Sequence, residues 1–197
     1  MSVFRSLLMA SEKLIPDKYQ RVEYIQSNGN QYIETSYYPN INTEVIMDFV
    51  DNDETRFENY FGTDANFRFQ RYAYSSNFQW MCGNSNINGS IDVTYRRQLR
   101  YNKNGIYNEK DVVLISNPVN AINKSYSMVI FNAYYGGLDA GGAYKLYDFK
   151  IYESGELIHH YIPCYRKNDG VIGLYDAIGK AFLTNQGSGT FIKGGDV

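Results

Sequence analysis

Residue types that build reactive or cross-linked sites are scarce in this chain. Its 197 residues include two cysteines, two histidines, one tryptophan and four prolines. Cys82 and Cys164 are too few for a disulfide framework. They read as reduced, partly buried thiols, as in a protein folded in a cytoplasm. The histidines are adjacent, His159 and His160. Neighbours on a strand point to opposite faces, so they do not share a metal. Neither Cys-x-x-Cys nor His-x-x-x-His spacing occurs. No run approaches the roughly eighteen apolar residues of a membrane span. In Met1–Ala10, Arg5 and Ser6 interrupt the apolar run that a secretion signal needs, so the segment reads as non-secretory. An excess of one charge is also lacking: 19 Lys and Arg against 21 Asp and Glu leave a net charge of -2. Arg96, Arg97 and Arg100 come nearest to a basic patch and read as a solvated strand face. Nucleic acid is therefore not an expected partner.

Catalytic patterns are missing too. A glycosidase flanks the scissile bond with two carboxylates. Glu44 and Asp48 share one strand face, but four residues of strand separate them by about 13 Å, too far for the usual pair. No Gly-x-Ser-x-Gly elbow is present, and Gly187-Ser188-Gly189 lacks that spacing. The expectation is a protein that is not an enzyme.

Aromatic residues are plentiful, with 20 Tyr and 11 Phe. They suit half-buried strands. Alternation predicts strands at Thr43–Val50, Asn59–Gly62, Phe67–Tyr74, Phe78–Met81, Ile91–Tyr95, Ser125–Ala133, Lys145–Tyr152 and Leu157–Ile162. In the Lys145–Tyr152 run, Tyr147, Phe149 and Ile151 fall on one face. Val22–Ile25 and Gln31–Thr35 read as a hairpin closed by Asn28-Gly29, and Asn84–Ser90 as a polar loop. No interior helix and no long repeat is legible. The organisation expected is an N-terminal arm, 1–17, before one all-β domain, 18–197.

Several residues are candidates for function. Trp80, Asn84, Tyr134, Tyr135 and Asp139 combine aromatic faces with amide and carboxylate groups, the chemistry of a sugar platform; core is the competing reading for Trp80. Asp51, Asp53 and Glu54 are oxygen ligands on a loop and the candidate holders of a structural calcium ion, with a polar turn as the plainer reading; no other cofactor is expected. Phe4, Leu7, Leu8 and Met9 could share one side of a short helix and make the arm an assembly element.

The runs Phe149–Tyr152, Ile162-Pro163, Asp169–Asp176, Phe182–Asn185 and Gly187–Phe191 close the chain; Leu14–Tyr19 and Val22–Thr35 open it. Together they resemble a LamG-like jelly-roll domain of the concanavalin A-like lectin/glucanase superfamily. The variety is that of gut bacterial surface proteins and of phages that infect gut bacteria. The resemblance implies an antiparallel jelly-roll β-sandwich. The Glu-x-Asp-x-Glu strand of its glucanase branch is absent here. The function it implies is a virion surface component: a capsid decoration, head-fibre or tail-associated subunit made in the host cytoplasm. Its partners would be other subunits in an assembly, and host or mucus glycans. The alternative is a carbohydrate-binding adhesion module of a bacterial cell surface protein.

Overall fold

The computed structural model describes residues 14–51, 57–64, 66–72, 77–122, 126–134, 137–138 and 140–197. The described residues contain strands and no helix. In chain order these are β1 (Tyr19–Arg21), β2 (Ile25–Gln26), β3 (Ile33–Glu34), β4 (Thr43–Val50), β5 (Glu58–Gly62) and β6 (Phe67–Arg71). Next come β7 (Asn77–Cys82), β8 (Ser85–Ser90), β9 (Arg97–Asn102), β10 (Gly105–Asn108), β11 (Val113–Ser116) and β12 (Val129–Ile130). The chain ends with β13 (Lys145–Glu153), β14 (Glu156–Arg166), β15 (Ile172–Asp176), β16 (Ala181–Thr184) and β17 (Ile192–Lys193).

Two antiparallel sheets result. The larger runs β11-β10-β9-β4-β13-β14-β15-β16, with β1 beside β14 and β2 between β13 and β17. The smaller runs β3-β12-β5-β6-β7-β8. The chain is thus an all-β antiparallel sandwich of the jelly-roll class. Val45, Met47 and Phe49 of β4 alternate inward, as read from the sequence, with Leu99, Tyr101, Phe149 and Ile151 beside them. Phe67, Phe69, Phe78 and Trp80 meet them from the small sheet. Each large side chain buried this way contributes about 1.5–3 kcal/mol. A bulge in β5 breaks register between Asn59 and Phe61. It turns both Tyr60 and Phe61 into the core and leaves Asn59 on the outer face.

A second, smaller cluster lies on the outer face of the large sheet. Ile15 and Tyr19 pack there on Ile162, Cys164, Tyr175 and Ala177. Ile15, assigned to the arm by sequence, is thus part of the folded body. Cys82 sits in the main core and Cys164 in this outer cluster. Both thiols are free and buried, and burial pushes each up to about 12.

Five sequence expectations are corrected. The Asn28-Gly29 turn does not close a hairpin, because β2 pairs with β13 and β17 while β3 pairs with β12. The buried Ser27 and Gln31 hold the turn instead. Ser27 Oγ accepts from Gly29 N at 2.9 Å and Gln31 Oε1 from Asn28 N at 2.8 Å. Gly29 takes φ +97°, a value glycine tolerates, and the chain crosses between sheets. Ser85–Ser90 is an edge strand, not a loop; Ile91–Tyr95 forms no strand although Ile91 and Val93 are core. Of Ser125–Ala133, only Val129-Ile130 is strand among the described residues, and both are buried. Finally, a register shift between Leu146 and Asp148 rotates β13. Leu146 replaces Tyr147 on the core face, and Tyr147 stacks under the Arg96 guanidinium at 3.9 Å.

Candidate functional site

The outer face of the small sheet carries the most organised polar array, buried along its middle strands and exposed at the β8 edge. Inward residues alternate along β6 and β7, so Arg68 and Gln70, and Gln79 and Met81, point outward. Register then aligns them in two rows. One is Glu34, Val129, Gly62, Arg68, Met81 and Asn86; the other is Asn59, Gln70, Gln79 and Asn88. Six strands at about 4.8 Å make the longer row roughly 24 Å. Gly62 lets the face close, since a Cβ there would come within 2.6 Å of Phe67 O.

The second row is a hydrogen-bonded amide relay. Gln70 Nε2 donates to Gln79 Oε1 at 2.9 Å, and Gln79 Nε2 donates to Asn88 Oδ1 at 3.1 Å. Every link points the same way, so the amides polarise one another. The relay presents the Asn88 NH₂ as a donor on the exposed β8 edge, beside exposed Asn86. Its other end is an acceptor. Gln70 Oε1 and the neighbouring Asn59 Oδ1 are buried without a hydrogen-bond partner among the described residues; Gln70 is only 2% and Asn59 0% exposed. Buried acceptors of this kind are uncommon. In the parallel row, Arg68 directs Nη2 and Nε at the Met81 sulfur, at 3.1 and 3.3 Å.

The opposite edge of this sheet is aromatic. Tyr126, 46% exposed, stacks on Tyr134 with ring centroids 5.1 Å apart. Exposed Tyr38 and half-buried Tyr32 lie near them. Between them is Glu34, which accepts from Ser127 Oγ and whose backbone N–H donates to Gln186 Oε1 at 2.7 Å. The Tyr134 hydroxyl is held above the ordinary phenol range, first by burial and then by the Glu34 carboxylate.

The sequence candidates fare unequally. Trp80 is not a platform. It is 0% exposed, packs on Phe61, Phe67 and Tyr101, and donates Nε1–H to Asn102 O at 3.2 Å. Core packing wins because β7 alternation turns it inward with Phe78. Asn84 is exposed at the turn into β8, beside the amide edge, and Tyr134 belongs to the stacked pair. Tyr135 and Asp139 lie outside the described residues.

Asp51 is no loop ligand for calcium. It is fully buried, paired with Arg71 at 2.9 Å, and accepts from Tyr60 OH at 2.5 Å. Asp53, Glu54 and the arm residues Phe4, Leu7, Leu8 and Met9 lie outside the described residues. Among the described residues no His, Cys, Asp and Glu cluster has metal-binding geometry. His159 and His160 do diverge: Nδ1 of the first meets Asp176 at 2.6 Å, and Nε2 of the second meets Asp148 at 2.7 Å.

Sequence reasoning missed Gln70, Gln79, Asn86, Asn88, Glu34 and Tyr126. Period-2 amides at Asn86 and Asn88 are the signal that could have found the β8 edge.

A groove of about 400 Å³ lies elsewhere, lined by Asp169, Ile172, Asn185, Gly187, Gly189 and Thr190. Two of its polar side chains are already committed. Asn185 Oδ1 accepts from Tyr32 N and Gly187 N, and its Nδ2 donates to Gly187 O and Gly189 O. Asp169 is held by Arg166 and by Val171 N.

No protein-family model and no curated protein matches this sequence. Among solved structures, the fold is similar to a proposed carbohydrate-binding protein from Bacteroides ovatus, with a TM-score of 0.63 at 12% identity. The similarity covers 90% of this chain but 62% of the other, so this chain spans under two thirds of that protein's length. At that identity the likeness shows a shared β-sandwich fold.

Proposed function

We propose that this chain is a non-catalytic, lectin-like module that binds glycans on the outer face of its small sheet. The observation that carries the reading is the directional relay from Gln70 through Gln79 to Asn88, which ends in an exposed amide. Carboxamides donate and accept at once, as sugar hydroxyls do. The stacked Tyr126 and Tyr134 rings at the other edge supply the apolar face that sugar C–H surfaces need. Few polar groups set on a rigid element are the usual make-up of a small-ligand site. The carbohydrate-binding description of the structural neighbour agrees with this reading. Virion assembly depended on arm residues 4–9, outside the described residues, and on a resemblance that the comparisons do not extend to phage proteins. Glycan binding is therefore the reading argued here. A bacterial cell surface is its natural setting.

The test is retention on immobilised neutral oligosaccharides. Asn86 and Asn88 are exposed, so Asn86→Ala/Asn88→Ala should leave the melting temperature within a few degrees. Losing two ligand hydrogen bonds at about 1 kcal/mol each should weaken binding roughly tenfold or more. Unchanged retention in the double variant would remove the amide edge from the site.

A further inference from the structure

Glu34 and the stacked tyrosines have a chemistry distinct from the amide relay. Glu34 makes no ion pair with any described residue, and its side-chain partners are the neutral hydroxyls of Ser127 and Tyr134. Its carboxylate therefore has no cationic partner among the described residues at this edge of the sheet. Beside it stand the faces of Tyr126 and Tyr134, and aromatic faces attract cations and repel anions. Both features favour the same ligand group. β3 fixes the position: Ile33 is locked in the core, and Glu34 pairs with Val129 in the row that continues to Arg68 and Asn86.

We infer that the β3 edge is a subsite for the protonated amine of an amino sugar, with Glu34 as the residue that sets this preference. The inference rests on the glycan-binding reading and adds the ligand class to it. An ammonium group would donate to the Glu34 carboxylate while its sugar ring lies against Tyr126. A uronic acid at the same place would bring two carboxylates together and be rejected.

The experiment titrates the full chain by calorimetry at pH 6 with three probes: an oligomer of β-1,4-linked glucosamine, its fully N-acetylated counterpart and an oligogalacturonate. The glucosamine oligomer should bind about tenfold more tightly than the acetylated one, the difference expected of a charge-assisted hydrogen bond. The oligogalacturonate should bind least. Glu34→Gln should erase the preference for the amine while the acetylated oligomer keeps its affinity. Glu156→Gln, which removes an exposed carboxylate at the start of β14, should leave the preference intact; equal loss in both variants would mean non-specific attraction of a cation and overturn the inference. A preference that survives Glu34→Gln would overturn it as well. If the acetylated oligomer binds through Asn86 and Asn88 with no gain from the amine, the subsite falls and the glycan-binding reading stands. If no oligosaccharide binds the wild-type chain, both fall.

Discussion

Replacing Arg71 with methionine is expected to lower the melting temperature by roughly 6–20 °C. Arg71 is 1% exposed and faces the core from β6, where alternation gives it the same side as Phe67 and Phe69. Its guanidinium reaches Asp51 at 2.9 Å and Glu58 at 3.5 Å, both fully buried. Glu58 also accepts from Ala143 N at 3.1 Å. The cluster thus ties the end of β4, the start of β5 and the segment before β13 to one cation. Removing one partner of a buried ion pair costs about 3–5 kcal/mol, because a charge is left without compensation. For a domain of this size each kcal/mol moves the midpoint by about 2–4 °C. Calorimetry of the variant measures the shift directly. A change under two degrees would mean that the cluster contributes little to the fold.

The same cluster predicts how stability follows pH. Burial, and then the neighbouring Asp51 charge, push the Glu58 carboxyl up to about 8 from an ordinary 4.5. The folded state therefore holds a proton that the unfolded state has released. This contribution is fully present below pH 4.5 and is lost as pH rises through 8. Asp148 and Asp176 act in the opposite sense at the acid end. Both are lowered by their histidine partners despite burial, and their contributions are lost as pH falls through the depressed values. The melting temperature should decline between pH 5 and pH 9, and Glu58→Gln should flatten that slope.

Trp80→Ala is expected to destabilise by a similar amount. Truncating a fully buried tryptophan costs about 3–5 kcal/mol, from lost transfer energy and the cavity left behind. It also strips the donor from Asn102 O and the ring against which Phe61, Phe67 and Tyr101 pack. Glycan binding by the fraction that remains folded should be unchanged. A small melting shift with lost binding would put Trp80 back on the surface.

The sequence showed some of this clearly and hid the rest for physical reasons. β4 was legible residue for residue, because one face meets the core while Glu44 and Asp48 pair with Arg100 and Arg96 outside. The all-β class followed from the same alternation. The β8 strand was hidden because its outward positions are asparagines, which in isolation resemble turn chemistry. β13 was read correctly at Phe149 and Ile151 and out of phase only at Tyr147, since a bulge at residues 146–148 leaves no local mark. For Trp80 the core was the plainer reading and a sugar platform the alternative, and its register with Phe69 decides for the core. The amide relay could not be read at all. Gln70, Gln79 and Asn88 become neighbours through pairings across β6, β7 and β8, and cross-strand register is a long-range property. Tyr134 was visible as a candidate, but its partners Tyr126 and Glu34 come from different parts of the chain.

The most direct measurement is a chemical-shift map of the isotopically labelled chain titrated with a neutral oligosaccharide. The account predicts perturbations concentrated on the side-chain amides of Gln79, Asn86 and Asn88 and on Tyr126 and Tyr134. Perturbations confined to the Asp169–Thr190 groove, or none with any glycan tested, would contradict it.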